Sequence, residues 1–287
     1  MKEDRSTSWW LATLRRRAER QQEESLDLTA PVQWSSAAEQ MAAVRFFNAA
    51  FRAEESGLRQ AHELADELRR VDPELSEVLR LYGNEEGWHR ELLTQFLSYI
   101  GGDVRPMGRV TRTLYWLYGR ARRMETIVLT NLMFEIIGST TYRMALRNVS
   151  QPQTRRMLTI LTRDEAFHVP LNVHFLKRVL QARPQASRLR LKLVYHLLFV
   201  SLLALPLASR PKAFAFDKIS RLDLMRGYAR MLGGLFTHDA TLGLQPPRWA
   251  LAALGIRAEE LRVSAGLTGV EAAERAADRE VVSVTAL

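Results

Sequence analysis

Long stretches of the sequence place apolar residues at helical spacing, and they are interrupted only at widely separated glycines and prolines. Four such stretches are rich in Leu, Ala, Arg and Glu, which favour helix. They predict helices over about 36–70, 72–100, 110–148 and 150–182, the third being one long helix or two shorter ones. Their connections are short, long and short. This loop pattern indicates an all-α fold, a four-helix bundle with one crossover between its second and third helices.

Local signals at the helix ends agree with these boundaries. Ser36 is followed three residues later by Glu39, which together form a capping box at the start of the first helix. Asp72 followed by Pro73 is typical of the start of a helix, and the pair Gly101–Gly102 is typical of an end. The second helix is therefore predicted to run between these two signals.

The rest of the chain divides into three segments around a bundle at residues 36–182. Residues 1–35 are expected to form an N-terminal extension with a short basic helix. Residues 183–263 are expected to form additional helices that pack on the bundle or on a membrane surface. Residues 264–287 are expected to be a disordered tail.

An apolar run after the bundle has three interpretations. The run from Leu193 to Ala208 covers 16 residues between basic flanks and contains Pro206. A bilayer requires about 20 consecutive apolar residues, so the run is short for a transmembrane helix. A buried fifth helix and a membrane-surface helix are the favoured alternatives.

Composition excludes several kinds of chemistry and indicates a preference for acidic partners. The chain has no cysteine, which excludes disulfides, zinc–thiolate sites and cysteine-ligated iron–sulfur clusters. Its 41 Lys and Arg against 32 Asp and Glu give a net charge of +9. No zinc-finger spacing or RNA-binding motif is present, so nucleic acid is not an expected partner. The first residues do not form a secretory signal, and we expect a cytoplasmic protein, free or peripheral to the membrane.

Two predicted helices carry the same arrangement of acids and histidine. The second contains NEEGWH and the fourth contains RDEAFH, so each has a Glu three residues before a His and another acid just before that Glu. Residues three apart lie on one face of a helix, where a carboxylate and an imidazole can bind the same ion. The residues are Glu85, Glu86 and His89 in the second helix, and Asp164, Glu165 and His168 in the fourth.

A two-metal site in a four-helix bundle requires one further carboxylate from each of the other two helices. The third helix offers Glu135, a lone acid in the apolar run NLMFEIIGST, where burial without a cation would be costly. The first helix offers Glu54 and Glu55. Helical rotation places Glu54 opposite a row of arginines and Glu55 beside them, so Glu54 is preferred. Gly57 leaves space near the predicted site.

A single Glu-x-x-His on a helix is usually a solvated pair, so one such motif would indicate little. Two of them, with two lone acids at similar depth in the other helices, favour a metal site. The four remaining histidines have no such context and are interpreted as core or surface residues: His62, His174, His196 and His238.

The order of a lone Glu, EE-x-x-H, a lone Glu and DE-x-x-H resembles the ferritin-like di-iron carboxylate oxidoreductases over about residues 36–180. Acyl-carrier-protein desaturases and arylamine N-oxygenases are the groups most similar in these motifs. The stretch EEGWHRELLTQFLSYIGGDV is similar to the second helix of the desaturases. The N-oxygenases have an additional histidine ligand at the position of Leu161, which disfavours N-oxygenation.

The resemblance implies two iron ions, with manganese as an alternative, and O2 as co-substrate. The expected ligands are Glu54 and His89 for one ion, Glu135 and His168 for the other, and Glu86 and Glu165 as bridges. Glu85 and Asp164 are expected to accept hydrogen bonds from the imidazole of the opposite motif. Ser139 and Thr140 are predicted catalytic hydroxyls, the alternative being hydroxyls bonded back to their own helix.

The function expected from these residues is an O2-dependent oxygenase or desaturase acting on an apolar substrate with an acidic or carrier-tethered end. The alternatives are an iron-storage protein, a metal-dependent hydrolase and a membrane-associated oxidase. No flavin or dinucleotide motif is present, so electrons are expected from a ferredoxin or a reductase. The other expected partners are an acidic carrier protein, a membrane surface and a second copy of the chain in a homodimer.

Overall fold

The computed structural model describes residues 5–121, 123–149, 151–181, 184–208, 219–257 and 259–261. All regular secondary structure within these ranges is helical. The helices are α1 (Thr7–Glu23), α2 (Ala37–Leu68), α3 (Pro73–Tyr99), α4 (Arg109–Tyr118), α5 (Met124–Asn148), α6 (Pro152–Gln181), α7 (Gln185–Ala208), α8 (Arg221–His238) and α9 (Arg248–Ala253), with a 3-10 turn at Ala240–Leu242.

Four long helices form the predicted bundle. Helix α2 pairs with α3, and α5 pairs with α6. Contacts between α2 and α5 and between α3 and α6 close the bundle. The crossover from α3 to α5 contains the short helix α4, so the third predicted helix is two helices, separated by a turn at Gly119.

The capping residues act as their positions predict. The side chain of Ser36 accepts a hydrogen bond from the backbone N–H of Glu39 at 3.1 Å. Asp72 accepts one from the backbone N–H of Leu75 at 3.1 Å, with Pro73 in the first turn. Gly101 ends α3 with a φ of +79°, a conformation that strains any residue with a Cβ.

The buried apolar residues form two clusters, one on each side of a polar layer. On α2, for example, one cluster ends at Phe51 and the other begins at Ala61. On α3, the corresponding limits are Tyr82 and Leu92. On these two helices Glu54, Glu86 and His89 lie in the interval between the clusters. The bundle therefore surrounds a polar layer with apolar packing above and below it.

Helices outside the bundle pack directly against it. Helix α1 lies on α3, where Trp10 and Leu14 are buried, so the N-terminal extension contributes to the core. Helices α7 and α8 pack on α5 and on each other. The segment predicted as additional helices, 183–263, contains α7 to α9. The disordered tail predicted at 264–287 lies outside the described residues.

Helix α7 contains the apolar run identified in the sequence. Its stretch Ser187–Leu207 is long and apolar enough to cross a membrane by length and composition, and it is the one such stretch in the described ranges. However, one face of α7 packs on α5 and α8, with Tyr195 and Phe199 fully buried. The helix thus combines a core face with an exposed face.

Candidate metal centre

All six residues predicted as metal ligands lie in the polar layer of the bundle and are 8% exposed or less. Each bundle helix contributes at least one of them. They are Glu54 from α2, Glu86 and His89 from α3, Glu135 from α5, and Glu165 and His168 from α6. The structure therefore brings together the whole predicted set.

The two histidines turn the same ring atom toward the carboxylates. The Nδ1 atom of His89 lies 3.2 Å from Oε2 of Glu54. The Nδ1 atom of His168 lies 3.0 Å from Oε1 of Glu86 and 3.6 Å from Oε2 of Glu135. Both imidazoles thus present one nitrogen to the interior of the cluster.

Two overlapping groups of ligand atoms are close enough to surround two ions. One atom from each residue of a group lies within 4.8 Å of the others. The first group is Glu54, Glu86, His89 and Glu165, and the second is Glu86, Glu135 and His168. Because Glu86 belongs to both groups, its carboxylate is in the position of a bridge.

Several polar atoms of this cluster have the surroundings of metal ligands. Oε1 of Glu86 and Nδ1 of His168 are buried, and neither makes a hydrogen bond of acceptable geometry with any described residue, although they lie 3.0 Å apart. Buried polar atoms are almost always satisfied. Two such atoms that face a common space, among four carboxylates and two imidazoles, fit a divalent cation with oxygen and nitrogen ligands.

Glu54 rather than Glu55 enters the cluster, as helical rotation predicts. Glu54 is 1% exposed, whereas the side chain of Glu55 is 39% exposed and pairs with Arg52 at 2.6 Å. Gly57, one turn further along α2, faces the site: a Cβ added there would lie 3.2 Å from the carboxyl carbon of Glu86. The absence of a side chain at Gly57 therefore leaves room for that carboxylate.

Two of the four carboxylates, Glu86 and Glu165, hold their protons more tightly than usual. Burial and the negative charge of Glu54 raise the pKa of Glu86. Burial and the negative charge of Glu135 raise the pKa of Glu165. Burial also opposes charge on Glu54, but hydrogen bonds with Glu86 and His89 outweigh it and lower the pKa of Glu54 to about 2. A divalent cation would replace these protons as the source of positive charge.

The histidines also bind protons more tightly than usual. Burial alone would lower the pKa of His89, but hydrogen bonds with Asp164 and Glu54 raise it to about 10. The negative charge of Glu86 overcomes the same effect of burial and raises the pKa of His168. Metal binding at either Nδ1 therefore has to displace a proton.

The acid before each motif lies at the outer nitrogen of the opposite histidine. Nε2 of His89 lies 3.0 Å from Oδ2 of Asp164, and Nε2 of His168 lies 3.7 Å from Oε2 of Glu85. The first distance is a hydrogen bond, and the second is a longer electrostatic contact. This is the crossed arrangement that the sequence predicts, and it leaves each Nδ1 directed to the cluster.

Sequence reasoning missed the cations that hold these two acids. Arg17 of α1 is 2% exposed and donates to both: its Nε lies 3.1 Å from Glu85, and a terminal nitrogen lies 2.8 Å from Asp164. Arg163 adds a second contact to Asp164 at 2.7 Å. Burial opposes the charge on Arg17, but the two carboxylates outweigh it and raise its pKa. No local pattern links Arg17 to the motifs, because it lies in a separate helix.

Two tyrosines that donate hydrogen bonds to Glu135 and Glu54 were also missed. The hydroxyl of Tyr82 donates to Oε1 of Glu135, and that of Tyr142 donates to Oε1 of Glu54 at 2.9 Å. Helical spacing contains a signal for both. Tyr82 precedes Glu86 by four residues and Tyr142 follows Glu135 by seven, so each lies on the site face of its helix.

The two predicted catalytic hydroxyls have other partners. Thr140 donates to the backbone carbonyl of Ile136 at 2.6 Å, which is the alternative that the sequence allowed. Ser139 accepts a hydrogen bond from Arg143 at 3.3 Å. Neither residue lines either of two cavities beside the cluster, of about 40 Å³ and about 560 Å³. Gly138 of the same helix does, and a Cβ there would lie 3.6 Å from Oε2 of Glu165.

Two cavities adjoin the cluster. The smaller, of about 40 Å³, is bounded by the four carboxylates of the site. The larger, of about 560 Å³, is mainly apolar and lies between α2, α4, α5, α7 and α8. Ala53, Tyr115, Phe134, Gly138 and Tyr142 line both cavities, so these residues lie between the apolar space and the carboxylates.

The fold and the buried cluster define a ferritin-like helical bundle with a carboxylate–histidine site that can hold metal ions. The same fold is found in a solved structure, Protein 19 with aldehyde deformylating oxidase activity from Synechococcus, with a TM-score of 0.57. The two sequences are 20% identical, and the match covers 81% of this chain and 98% of the other. The sequence matches no protein-family model and no curated protein.

Proposed function

We propose that this protein is an O2-dependent, non-haem di-iron oxidoreductase that acts on an apolar substrate. One observation carries the proposal: a buried set of four carboxylates and two imidazoles adjoins an apolar cavity large enough for an organic substrate. The structural neighbour has aldehyde deformylating oxidase activity, which supports the same class. When bound, two ferrous ions would supply O2 reduction, with electrons from a ferredoxin or a reductase.

The residues of the chain would divide the work between holding metal and placing substrate. The six predicted ligands would hold the ions, and Glu86 is the residue that belongs to both groups of ligand atoms. Asp164 and Glu85 would fix the tautomer of the two imidazoles, and Tyr82 and Tyr142 would orient the terminal carboxylates through their hydroxyls. We assign no catalytic role to Ser139 or Thr140.

The larger cavity indicates the shape of the substrate. Its walls are aromatic and aliphatic, whereas its end near the crossover contains Arg45, Arg52 and Arg105. Of these, Arg105 is exposed, and Arg52 is partly neutralised by Glu55. We infer that an apolar chain fills the cavity and that an acidic or carrier-linked end binds the arginines.

Storage of iron is the main competing function, but it does not require the larger cavity. N-oxygenation is also less favoured, because Leu161 is fully buried in the core where the N-oxygenases have their additional ligand. Desaturation, hydroxylation and aldehyde deformylation remain, and their products differ.

The test is anaerobic loading with ferrous iron, followed by an O2 pulse with fatty acids and fatty aldehydes of graded length and a chemical reductant. We expect substrate-dependent O2 consumption and an oxidised product by mass spectrometry. Glu54→Ala should lower the iron content per chain, whereas Glu55→Ala should not. Equal iron content in the two variants would exclude this site, and iron uptake into a large cage without substrate oxidation would favour storage.

A further inference from the structure

Helix α7 carries an apolar stripe on its exposed face. Four leucines along it are between 56% and 72% exposed: Leu189, Leu193, Leu197 and Leu207. Since each residue of an α-helix advances by about 100°, these four leucines fall within a sector of about 80°, together with Val200 and Ala204. A contiguous row of exposed leucines marks an interaction surface rather than a surface that contacts only water.

The opposite face of the helix fixes how the stripe is presented. Leu191, Tyr195, Phe199 and Leu202 are buried and pack into the main core, so α7 is anchored along its length. A helix held in this way does not have to cross a bilayer in order to contact it. It can lie parallel to one, with the leucines turned away from the protein.

Charge on and around the stripe fits an anionic surface. Helix α7 contains no acidic residue, and Arg188, Arg190 and Lys192 are exposed near its N-terminal end. A second copy of this chain would present the same positive charge to the stripe. A membrane with anionic lipids instead offers both an apolar interior and negative headgroups.

Exposed tryptophans lie on segments that touch α7 on either side. Trp116 of α4 is 53% exposed, and its neighbour Tyr118 lies 3.3 Å from Ser201 of α7. Trp249 of α9 is 66% exposed, near the loop whose Gln245 carbonyl lies 3.1 Å from His196 of α7. Tryptophan is enriched where a protein meets the membrane–water boundary.

Helix α7 also forms one wall of the larger cavity. Leu202, Leu205 and Pro206 line that cavity from the face opposite the stripe. Tyr118, which contacts the exposed side of α7, lines it as well. The exposed stripe and the apolar cavity are therefore separated by a single helix.

We propose that the stripe on α7, with the adjoining tryptophans, docks the protein on the surface of an anionic lipid bilayer. Docking would place the larger cavity next to the membrane, so that an apolar substrate could enter from the lipid. The docking stands on the exposed surface alone. The supply of substrate from the membrane rests on the proposed function.

The test is flotation of the full chain, without iron or substrate, with vesicles of phosphatidylcholine and with vesicles of equal parts phosphatidylcholine and phosphatidylglycerol. We expect binding to the mixed vesicles and at least tenfold weaker binding to phosphatidylcholine alone. The double variant Leu193→Gln/Leu197→Gln should lose binding to both. Arg190→Gln/Lys192→Gln should lose mainly the preference for the anionic lipid.

Val71→Gln is the matched control, because Val71 is 80% exposed in the turn between α2 and α3, outside the stripe. It should bind vesicles like the unaltered chain. The altered residues are exposed, so circular dichroism should show the same thermal transition in every variant. Equal vesicle binding by the leucine variant would overturn the proposal. The proposal would also be overturned if the unaltered chain formed dimers without vesicles and the leucine variant did not, as measured by analytical ultracentrifugation.

Iron content and O2 consumption in detergent-free buffer distinguish failure of the membrane docking from failure of the proposed oxidoreductase function. The leucine variant should retain both, because the stripe contains no ligand of the cluster. Loss of vesicle binding with full oxidation of a soluble short-chain substrate would support docking as a separate property. Vesicle binding by a protein that oxidises no substrate would leave the docking intact and refute only the activity.

Discussion

Arg17 is the residue that connects the N-terminal helix with the metal centre. It neutralises Glu85 and Asp164, the acids that face the outer nitrogens of the two histidines. Without Arg17, Glu85 and Asp164 would lose the buried cation that contacts both of them. Such acids would draw protons or rotate, and the imidazoles would lose their orientation.

Arg17→Met should therefore weaken iron binding as well as folding. Removing one partner of a buried pair costs about 3–5 kcal/mol, and loss of ligand orientation lowers metal affinity by about 10–100-fold. Iron affinity, measured by competition with a chelator at a temperature where the variant is folded, checks the result. Arg15→Met, at an exposed position on the same helix, is the control. A lower melting temperature with unchanged iron affinity would make Arg17 a structural residue only.

At the scale of the elements, the contact between α2 and α3 sets the space around Glu86. Both helices contain a glycine at this contact, but the two positions differ. A Cβ at Gly57 would lie 3.2 Å from the carboxyl group of Glu86, tighter than an ordinary contact, whereas one at Gly87 would lie 3.6 Å from Leu58. Only the first would force Glu86, a proposed metal ligand, to move.

Gly57→Ala and Gly87→Ala should consequently have the same effect on the helix and different effects on the site. Each replaces glycine in a helix interior, which favours the helical state by about 1 kcal/mol. We expect Gly57→Ala to bind iron at least tenfold more weakly and Gly87→Ala to bind it normally. Calorimetric unfolding of the metal-free variants and iron titration give the two readings. Normal iron affinity in both would show that Glu86 has room to adjust.

At the scale of the whole molecule, the polar layer of the bundle contains more buried carboxylates than buried cationic side chains among the described residues. The pKa values of Glu86, Glu165, His89 and His168 are all raised, so these four groups keep their protons to higher pH than they would in water. Divalent cations compete with these protons for the same atoms.

Iron affinity should therefore rise with pH. A group with a raised pKa keeps its proton below that pKa and releases it above, so acid favours the metal-free protein. Each proton displaced changes the affinity about tenfold per pH unit. Titration calorimetry near neutral pH, at about pH 6.5 to 8, in buffers of different ionisation enthalpy would count the protons released when iron binds. Affinity independent of pH would mean that the ligands are already deprotonated.

The sequence by itself determined the bundle and brought together most of the carboxylate–histidine cluster. Helical spacing, the caps at Ser36 and Asp72, and the order of loop lengths predicted the four helices, because each depends on residues close together in the chain. The six predicted ligands also lie together. A lone acid in an apolar run, such as Glu135, has few energetically acceptable surroundings, so its type and neighbours already indicated its environment.

Only the tertiary structure decided what surrounds that centre. Arg17 reaches the two acids because α1 packs on α3. Helical spacing relates residues within one helix and does not predict which helices pack together. The hydroxyls of Ser139 and Thr140 turned elsewhere, because helical rotation places a residue on a face without selecting its hydrogen-bond partner. The cavity and the exposed stripe on α7 arise from several helices meeting at once. Contacts between distant segments depend on the packing of the whole chain, and local sequence patterns do not encode them.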